Sequence, residues 1–273
     1  MKEEKLYIDL MKKVLTDFHR IEFDEHKYLD TILEPSIKAR FLMLLDNFLR
    51  KKDFAIVKRI SSNEENRRNG QDWPSRADTM IGLKRLDNLE YCIREVITSG
   101  IEGDFIETGV WRGGATIFMR AMLKSLNVTD RIVWVADSFE GLPRPEHEVD
   151  RNDTHFKINE LAISLDVVKH NFEKYDLFDD QVKFLKGWFK ETLPVAPIKS
   201  LSILRLDGDM YQSTMDALQN LYPKLSKGGY IIIDDWTAVR GCKLAVENYR
   251  EQHGISEQIM TIDWSGVYWK KEK

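Results

Sequence analysis

Cysteine is nearly absent: Cys92 and Cys242 are the two that 273 positions hold. They stand at no spacing that builds a metal or redox centre, and reduced thiols in a cytoplasmic protein are expected. Long apolar runs are missing as well. No stretch approaches the ~20 residues needed to cross a bilayer. The opening MKEEKLYIDLMKK mixes charges into its apolar positions, as a signal peptide does not. A basic surplus is also lacking. With a net charge of -4 and no cluster of Lys and Arg, the chain offers nucleic acid no general attraction. Internal repeats and low-complexity tracts are absent. What is there, 42% hydrophobic and 32% charged residues, is an ordinary globular balance. The length suits one large domain or a domain with a cap.

Residues 1 to about 60 read as helical, with Leu6, Leu10, Val14 and Phe18 on one face and a second apolar cluster at Phe41 to Leu45. That cluster is more apolar surface than a cap needs, so a symmetric homodimer or larger homo-oligomer is expected. The polar stretch Ser61 to Gly70 (SSNEENRRNG) reads as a mobile loop. Gly82 to Gly100 reads as a helix turning Leu86, Leu89 and Ile93 inward. From Asp104 strand and helix patterns alternate, the α/β signature. Strands fall near 104–108, 131–136, 181–185, 201–206 and 229–233, and helices near 114–126, 160–175, 213–222 and 238–251. Two final strands, 257–262 and 266–270, meet at the hairpin-like turn Asp263-Trp264-Ser265-Gly266. A mostly parallel sheet closed by an antiparallel hairpin is the ending of a class I methyltransferase, and is unusual for a dinucleotide-binding Rossmann domain. The expected fold is therefore α/β and Rossmann-like: seven strands, with a helical extension over 1–75 and the sheet domain over 76–273.

Two carboxylate pairs stand at strand ends. Asp207-Gly208-Asp209 follows the apolar run LSILRL, and Asp234-Asp235 follows YIII. Such runs read as buried parallel strands, and ligands of open α/β sheets bind beyond their carboxyl ends. If the two strands are neighbours, four carboxylates converge with no Lys or Arg among them. Their repulsion calls for a divalent cation or a shared proton, and a hard metal held by oxygen is the expected answer. Asp207 and Asp209, two apart, point to one side of an extended strand, with Gly208 leaving room for an acceptor. Asp234 and Asp235 reach one ion only if their strand ends between them. The competing reading makes Asp209 and Asp235 helix caps, shared with Ser213 and Thr214. It accounts for one Asp at each strand end and not for four.

A glycine-rich turn, Glu107-Thr108-Gly109-Val110-Trp111-Arg112-Gly113, follows the first strand of the α/β region. Its glycines let backbone approach a ligand. The spacing E-x-G-x-x-x-G is not the G-x-G-x-x-G of dinucleotide binders. An acidic residue just before the first Gly suits a cofactor with a positive amino group and no pyrophosphate, as S-adenosylmethionine is. Asp137, ending the next strand, offers a carboxylate to both ribose hydroxyls. The alternative for Asp137 is a turn cap, since Ser138 follows.

The segments TMIGLKRLDNLE (79–90), ETGVWRGGA (107–115), DSFEGLP (137–143), FLKGWF (184–189), LRLDGDMYQST (204–214) and GYIIIDDW (229–236) resemble the macrocin O-methyltransferase family. Its members are metal-dependent enzymes that methylate sugar hydroxyls of macrolide and aminocoumarin antibiotics. The resemblance implies that Thr79 and Met80 contact S-adenosylmethionine near its methionine end. Glu107, Thr108, Gly109, Val110, Trp111 and Gly113 would lie there too. Asp137 and Ser138 would hold the ribose, and Gly187 and Trp188 would flank the adenine, although core packing also accounts for Trp188. Asp207, Asp234 and Asp235 match the ligands of Mg2+, and Asp209 matches the general base. Positions 144–156 (RPEHEVDRNDTHF) depart most from the family and leave substrate contacts undetermined.

The function this supports is S-adenosylmethionine- and Mg2+-dependent O-methylation of a sugar hydroxyl on a glycosylated natural product or related small molecule. A catechol acceptor is the close enzymatic rival, since a divalent ion also chelates adjacent phenols. A nucleotide-sugar glycosyltransferase would use D-x-D on a diphosphate, but leaves Glu107 and Gly109 unexplained and lacks a basic cluster. A non-catalytic S-adenosylmethionine-binding protein would not need four carboxylates. His19, His26, His170 and His253 read as surface or satisfied residues. His147 and His155 lie in the acidic segment 144–158, which reads as a lid or a mobile loop. Neither nucleic acid nor a membrane is an expected partner.

Overall fold

The computed structural model describes residues 2–23, 25–28 and 36–273. The chain opens with α1 (Lys2–Leu15), β1 (Glu25–Tyr28), α2 (Ile37–Arg50), β2 (Val57–Ile60) and α3 (Glu64–Asn69). Alternating elements follow: α4 (Leu83–Thr98), β3 (Asp104–Thr108), α5 (Gly114–Ser125), β4 (Val133–Asp137), α6 (Leu165–Glu173), β5 (Val182–Lys186), α7 (Phe189–Thr192), β6 (Leu201–Leu206), α8 (Tyr211–Leu221), β7 (Leu225–Ile233) and α9 (Arg240–Gln252). The hairpin strands are β8 (Met260–Thr261) and β9 (Val267–Lys270). Among the described residues no helix is long and apolar enough to cross a membrane.

The large sheet has seven strands in the order β5-β4-β3-β6-β7-β9-β8. The strands from β5 to β7 run parallel, and β9 pairs antiparallel with β7 and β8. The chain builds outward from β3 through β4 to β5, then returns to β6 on the other side of β3. That reversal opens a crevice beyond the carboxyl ends of β3 and β6, where open α/β sheets bind ligands. Alternation along each strand divides the interior into two cores. Phe105, Val135, Ile203 and Ile232 pack toward α1, α4 and α5, while Ile106, Ala136, Leu204 and Ile233 pack toward α8 and α9. The same alternation carries Glu107, Arg205 and Asp207 onto the α4 side, and register sets Glu107 directly opposite Arg205.

Five readings of the N-terminal region and the termini of elements need correction. The first 60 residues are not all helical, because β1 and β2 pair as an antiparallel ribbon. Helix α1 buries Ile8, Met11 and Leu15 in the sheet's own core, leaving Leu6 and Leu10 exposed. Spacings of three and four turn residues to one face whichever apolar series is followed, and the sheet selected the other series. The stretch 61–70 contains α3 rather than being a loop. Asn63 caps it, accepting the Asn66 N–H at 2.9 Å, and Gly70 ends it at φ 64°. Helix α6 begins at Leu165, after short 3-10 turns, and β8 shrinks to two residues.

Candidate active site

A cleft of about 360 Å³ opens at the carboxyl ends of β3 to β6. Met80, Gly109, Trp111, Asp137, Ser138, Gly187, Trp188, Asp207 and Asp209 all line it. Residues 100 positions apart in sequence meet here because the parallel strands end together. Thr79, Glu107, Thr108, Val110, Gly113, Asp234 and Asp235 stand behind this lining. Thr79 is buried, and its hydroxyl accepts the Ile81 N–H at 3.3 Å. Its segment is braced on α5, with Gly114 N–H donating to the Asp78 carbonyl at 2.9 Å. Val110 is also buried, and Gly113 caps α5 at φ 87°. Among the described residues the buried Thr108 hydroxyl has no hydrogen-bond partner.

Gly109, at φ 81°, occupies a conformation that favours glycine, and a Cβ there would collide with the Asp207 carbonyl. Glycine is therefore required by the neighbouring strand end as much as by any ligand. Asp137 accepts the Val110 N–H on one carboxylate oxygen and the Phe139 N–H on the other, both at 2.7 Å. Burial raises its pKa against these bonds. The carboxylate thus locks the turn while remaining in the cleft wall. Trp188 is half-buried at the start of α7, in the cleft wall rather than in the core.

Asp207, Asp234 and Asp235 each bring a carboxylate oxygen within 4.8 Å of the others. Strand β7 ends at Ile233, before both Asp234 and Asp235, which lets consecutive residues join one cluster. The expectation that no Lys or Arg lies among the carboxylates is wrong. Arg205 pairs with Glu107 and Asp234, and with Asp207 at 2.7 Å, while Arg85 from α4 pairs with Asp234 and, at 2.8 Å, with Asp263. The missed signal was Arg205 itself, a charge inside an apolar run, two residues before Asp207 and so on its face of the strand. Arg85 carried no local signal.

Strand β6 ends at Leu206, and Asp209 turns left-handed at φ 56°, so Asp207 and Asp209 are not successive residues of one extended face. The Asp209 N–H instead donates to Asp235 at 3.3 Å. Gly208 lines the cleft, where a Cβ would press Ser213 and Phe189 at 3.2 and 3.3 Å. The helix-cap reading also fails. Neither α8 nor α9 has a side-chain cap from these residues, and Asp150 accepts the first α8 N–H, from Tyr211, at 2.8 Å.

Burial, reinforced by the Asp234 charge, pushes Asp207 up to about 6. Burial and the Asp207 charge push Asp209 up to about 7. Burial and the Asp209 and Asp207 charges hold Asp235 well above the usual carboxylate range. Glu107 rises to about 8 through burial, which outweighs the Arg205 charge. Glu107, Asp207, Asp209, Asp234 and Asp235 together outnumber the two guanidiniums, and Arg85 is shared with Asp263. Surplus negative charge on oxygen donors fits a hard dication.

The segment 139–163 is strapped over the cleft. His147 stacks on Tyr211 with ring centres 3.9 Å apart, Asp150 anchors on α8, and the Trp111 indole N–H donates to the Glu160 carbonyl at 2.8 Å. Gly141 to Glu146 form the cleft wall, which sequence reasoning left unassigned. His155 is partly exposed and bonds Asp153 at 3.1 Å. His19 and His170 lie near the surface, His253 packs on Tyr249, and His26 falls in β1, its side chain outside the described residues.

Residues 4–271 match the family pattern of macrocin O-methyltransferase (TylF). The 8-demethyl-8-(2,3-dimethoxy-alpha-L-rhamnosyl)-tetracenomycin-C 4'-O-methyltransferase of Streptomyces olivaceus is 48% identical over 269 residues, spanning 97% of this chain and 92% of that one. Mycinamicin III 3''-O-methyltransferase of Micromonospora griseorubida is 51% identical over 214 residues, 76% of this chain and 84% of that one. The solved structure of the O-methyltransferase NovP superposes with a TM-score of 0.83 at 43% identity, covering 99% of this chain and 100% of that one. With strand ends, turn and family pattern in agreement along nearly its whole length, this chain belongs to the macrocin O-methyltransferase family and is an O-methyltransferase.

Proposed function

We propose that the enzyme transfers a methyl group from S-adenosylmethionine, with Mg2+, to a sugar hydroxyl of a glycosylated natural product. The observation that carries this reading is the meeting of Asp137 and the Gly109 turn with Asp207 and Asp209 in one cleft. One part offers acceptors to a polar cofactor and the other offers surplus carboxylate. The named relatives act at positions 4' and 3'' of their substrates, and the first names a rhamnosyl group, which supports the sugar acceptor.

S-adenosylmethionine supplies an electrophilic methyl group on a sulfonium. Asp207, Asp234 and Asp235 would hold Mg2+, which when bound would supply Lewis acidity to an acceptor hydroxyl. Met80, Trp111, Asp137, Ser138, Gly187 and Trp188 hold the cofactor, Asp137 accepting ribose hydroxyl hydrogens while it fixes the turn. Thr79, Thr108, Val110 and Gly113 shape that wall from behind, and Glu107 contributes through Arg205. Asp209 takes the acceptor's proton. Burial and the Asp207 charge raise its pKa in the metal-free cluster, the direction that favours a base. The strap 139–163 narrows access of water to the cleft. Catalysis belongs to 76–273, with 1–75 an extension docked through α1.

The exposed stripe Phe41, Leu44, Leu45 and Phe48 on α2 favours a homodimer. Two buried free cysteines suit the cytoplasm. Incubation with methyl-labelled S-adenosylmethionine, Mg2+ and a panel of rhamnosides, amino sugars and catechols tests the acceptor. Label on a sugar, abolished by EDTA and restored by Mg2+, is expected. Transfer to catechols alone would move the acceptor class, and full turnover after rigorous chelation would remove the metal.

A further inference from the structure

The two buried arginines do more than neutralise charge. Arg205 is 1% exposed in its side chain, and its Nη1 bridges Glu107 Oε1 and Asp207 Oδ2, while Nη2 takes Asp234 Oδ1. Arg85 takes the other Asp234 oxygen with Nη1, and its Nε and Nη2 hold Asp263 at 2.8 and 3.3 Å. Asp263 is fixed in turn by the N–H groups of Ser265 and Gly266 at 3.0 and 2.8 Å. A chain of contacts therefore runs from Glu107 on β3 through Arg205, Asp234 and Arg85 to the β8–β9 turn, with Asp207 branching from Arg205. Asp235 bonds to neither guanidinium, and Asp207 Oδ1 is likewise without one.

We infer that Arg205 and Arg85 are positioning residues for the metal site: they set the orientations of Asp207 and Asp234, so that these present oxygens beside Asp235 before any ion arrives. This rests on the metal reading above. A planar guanidinium fork fixes the mutual geometry of two carboxylates, which a lysine's single ammonium does not. Side chains ordered in advance lose no rotamer freedom when an ion binds. Groups that orient metal ligands are commonly worth 10–100-fold in affinity. Glu107 then acts at one remove, as the anchor of Arg205, which accounts for an acidic residue that does not itself line the cleft.

The test uses the full chain with Mn2+ as probe, free Mn2+ being read by electron paramagnetic resonance. S-adenosylhomocysteine affinity without metal is read by calorimetry. In Arg205→Lys, which keeps the charge, Mn2+ affinity should fall about 10–100-fold. S-adenosylhomocysteine affinity should stay within about twofold, and kcat should recover at raised Mg2+. A cooperatively melting Arg205→Lys that binds Mn2+ like wild type overturns the inference. So does an equal loss of both ligands, which would mark a general structural role. If Arg205→Lys does not fold, Arg85→Lys decides by the same two readings. Wild type that binds no Mn2+ sinks the metal reading itself, whereas wild-type binding matched by both variants sinks only this inference.

Discussion

Asp137 and the trio Asp207, Asp234 and Asp235 are the same residue type at the carboxyl ends of parallel strands of one sheet, yet their surroundings differ in kind. Asp137 is stabilised by two backbone N–H groups and, among the described residues, is paired with no guanidinium. Of the trio, Asp207 and Asp234 are paired with guanidiniums, and Asp235 beside them is not. Backbone donors satisfy a carboxylate without adding charge and leave it able to accept hydroxyl hydrogens. Guanidiniums offset one cluster only in part, which suits it to the cation proposed above. Neighbours, rather than residue identity, are what suit one Asp to the proposed ribose contact and three to the proposed metal.

The sharpest way to break this contrast lies inside the cluster. Asp209→Asn should lower turnover by about 10²–10⁴-fold, the usual worth of a general base, with Mn2+ and cofactor affinity retained. Asp207→Asn should instead weaken metal binding and regain activity at high Mg2+. Steady-state kinetics across Mg2+ concentrations separates the two. If added Mg2+ rescues both alike, Asp209 is another ligand and the base lies elsewhere.

The other side is probed by Asp137→Ala. Loss of a charged acceptor should weaken S-adenosylmethionine binding by about 1.5–3 kcal/mol in calorimetry, with Mn2+ affinity unchanged. Equal cofactor affinity in the variant would leave Asp137 as a turn lock alone.

A smaller effect should appear in stability against pH. Glu107 near 8, Asp209 near 7 and Asp207 near 6 lie above ordinary carboxylate values. Between about pH 4 and 8 the folded protein therefore keeps protons that the unfolded chain has released, and stability falls as pH rises. Their contribution is complete below the unfolded values and is lost as pH passes through 6 to 8. Calorimetry in EDTA should give a lower Tm at pH 8.5 than at 5.5, by ~2–4 °C per kcal/mol lost. Mg2+ should raise Tm more at the higher pH. A metal-free Tm flat across this range would mean that the trio carries no surplus charge, and the contrast with Asp137 would collapse. Weakest in effect on the site is assembly: light scattering at micromolar concentration should report a dimer, and a monomer would leave the α2 stripe unexplained.

Much of this was readable along the chain. LSILRL and YIII are apolar because parallel strands are covered on both faces, and they became β6 and part of β7. The cleft residues Gly109, Asp137 and Asp207 were legible because each stands at or just after such a run, whereas Trp188 rested on the family resemblance. The Arg85 contact was not, since α4 and β7 approach only when the sheet is assembled. Nor was the ribbon of β1 and β2, whose pairing joins residues on either side of α2. The strap 139–163 has no apolar period to read, and its anchors lie on α8 and in the Gly109 turn.

Local pattern alone determined the strand runs, the turn glycines, the closing hairpin and the positions of the acidic residues, because each depends on neighbours within a few residues. Tertiary structure decided which carboxylates meet cations and which meet backbone N–H groups, and which face of α1 is buried. Those outcomes depend on strand order and register, which set distant residues side by side: Glu107 opposite Arg205, and Arg85 against Asp234. The physical reason is that charge compensation and burial act through space, at distances that separation along the chain does not encode.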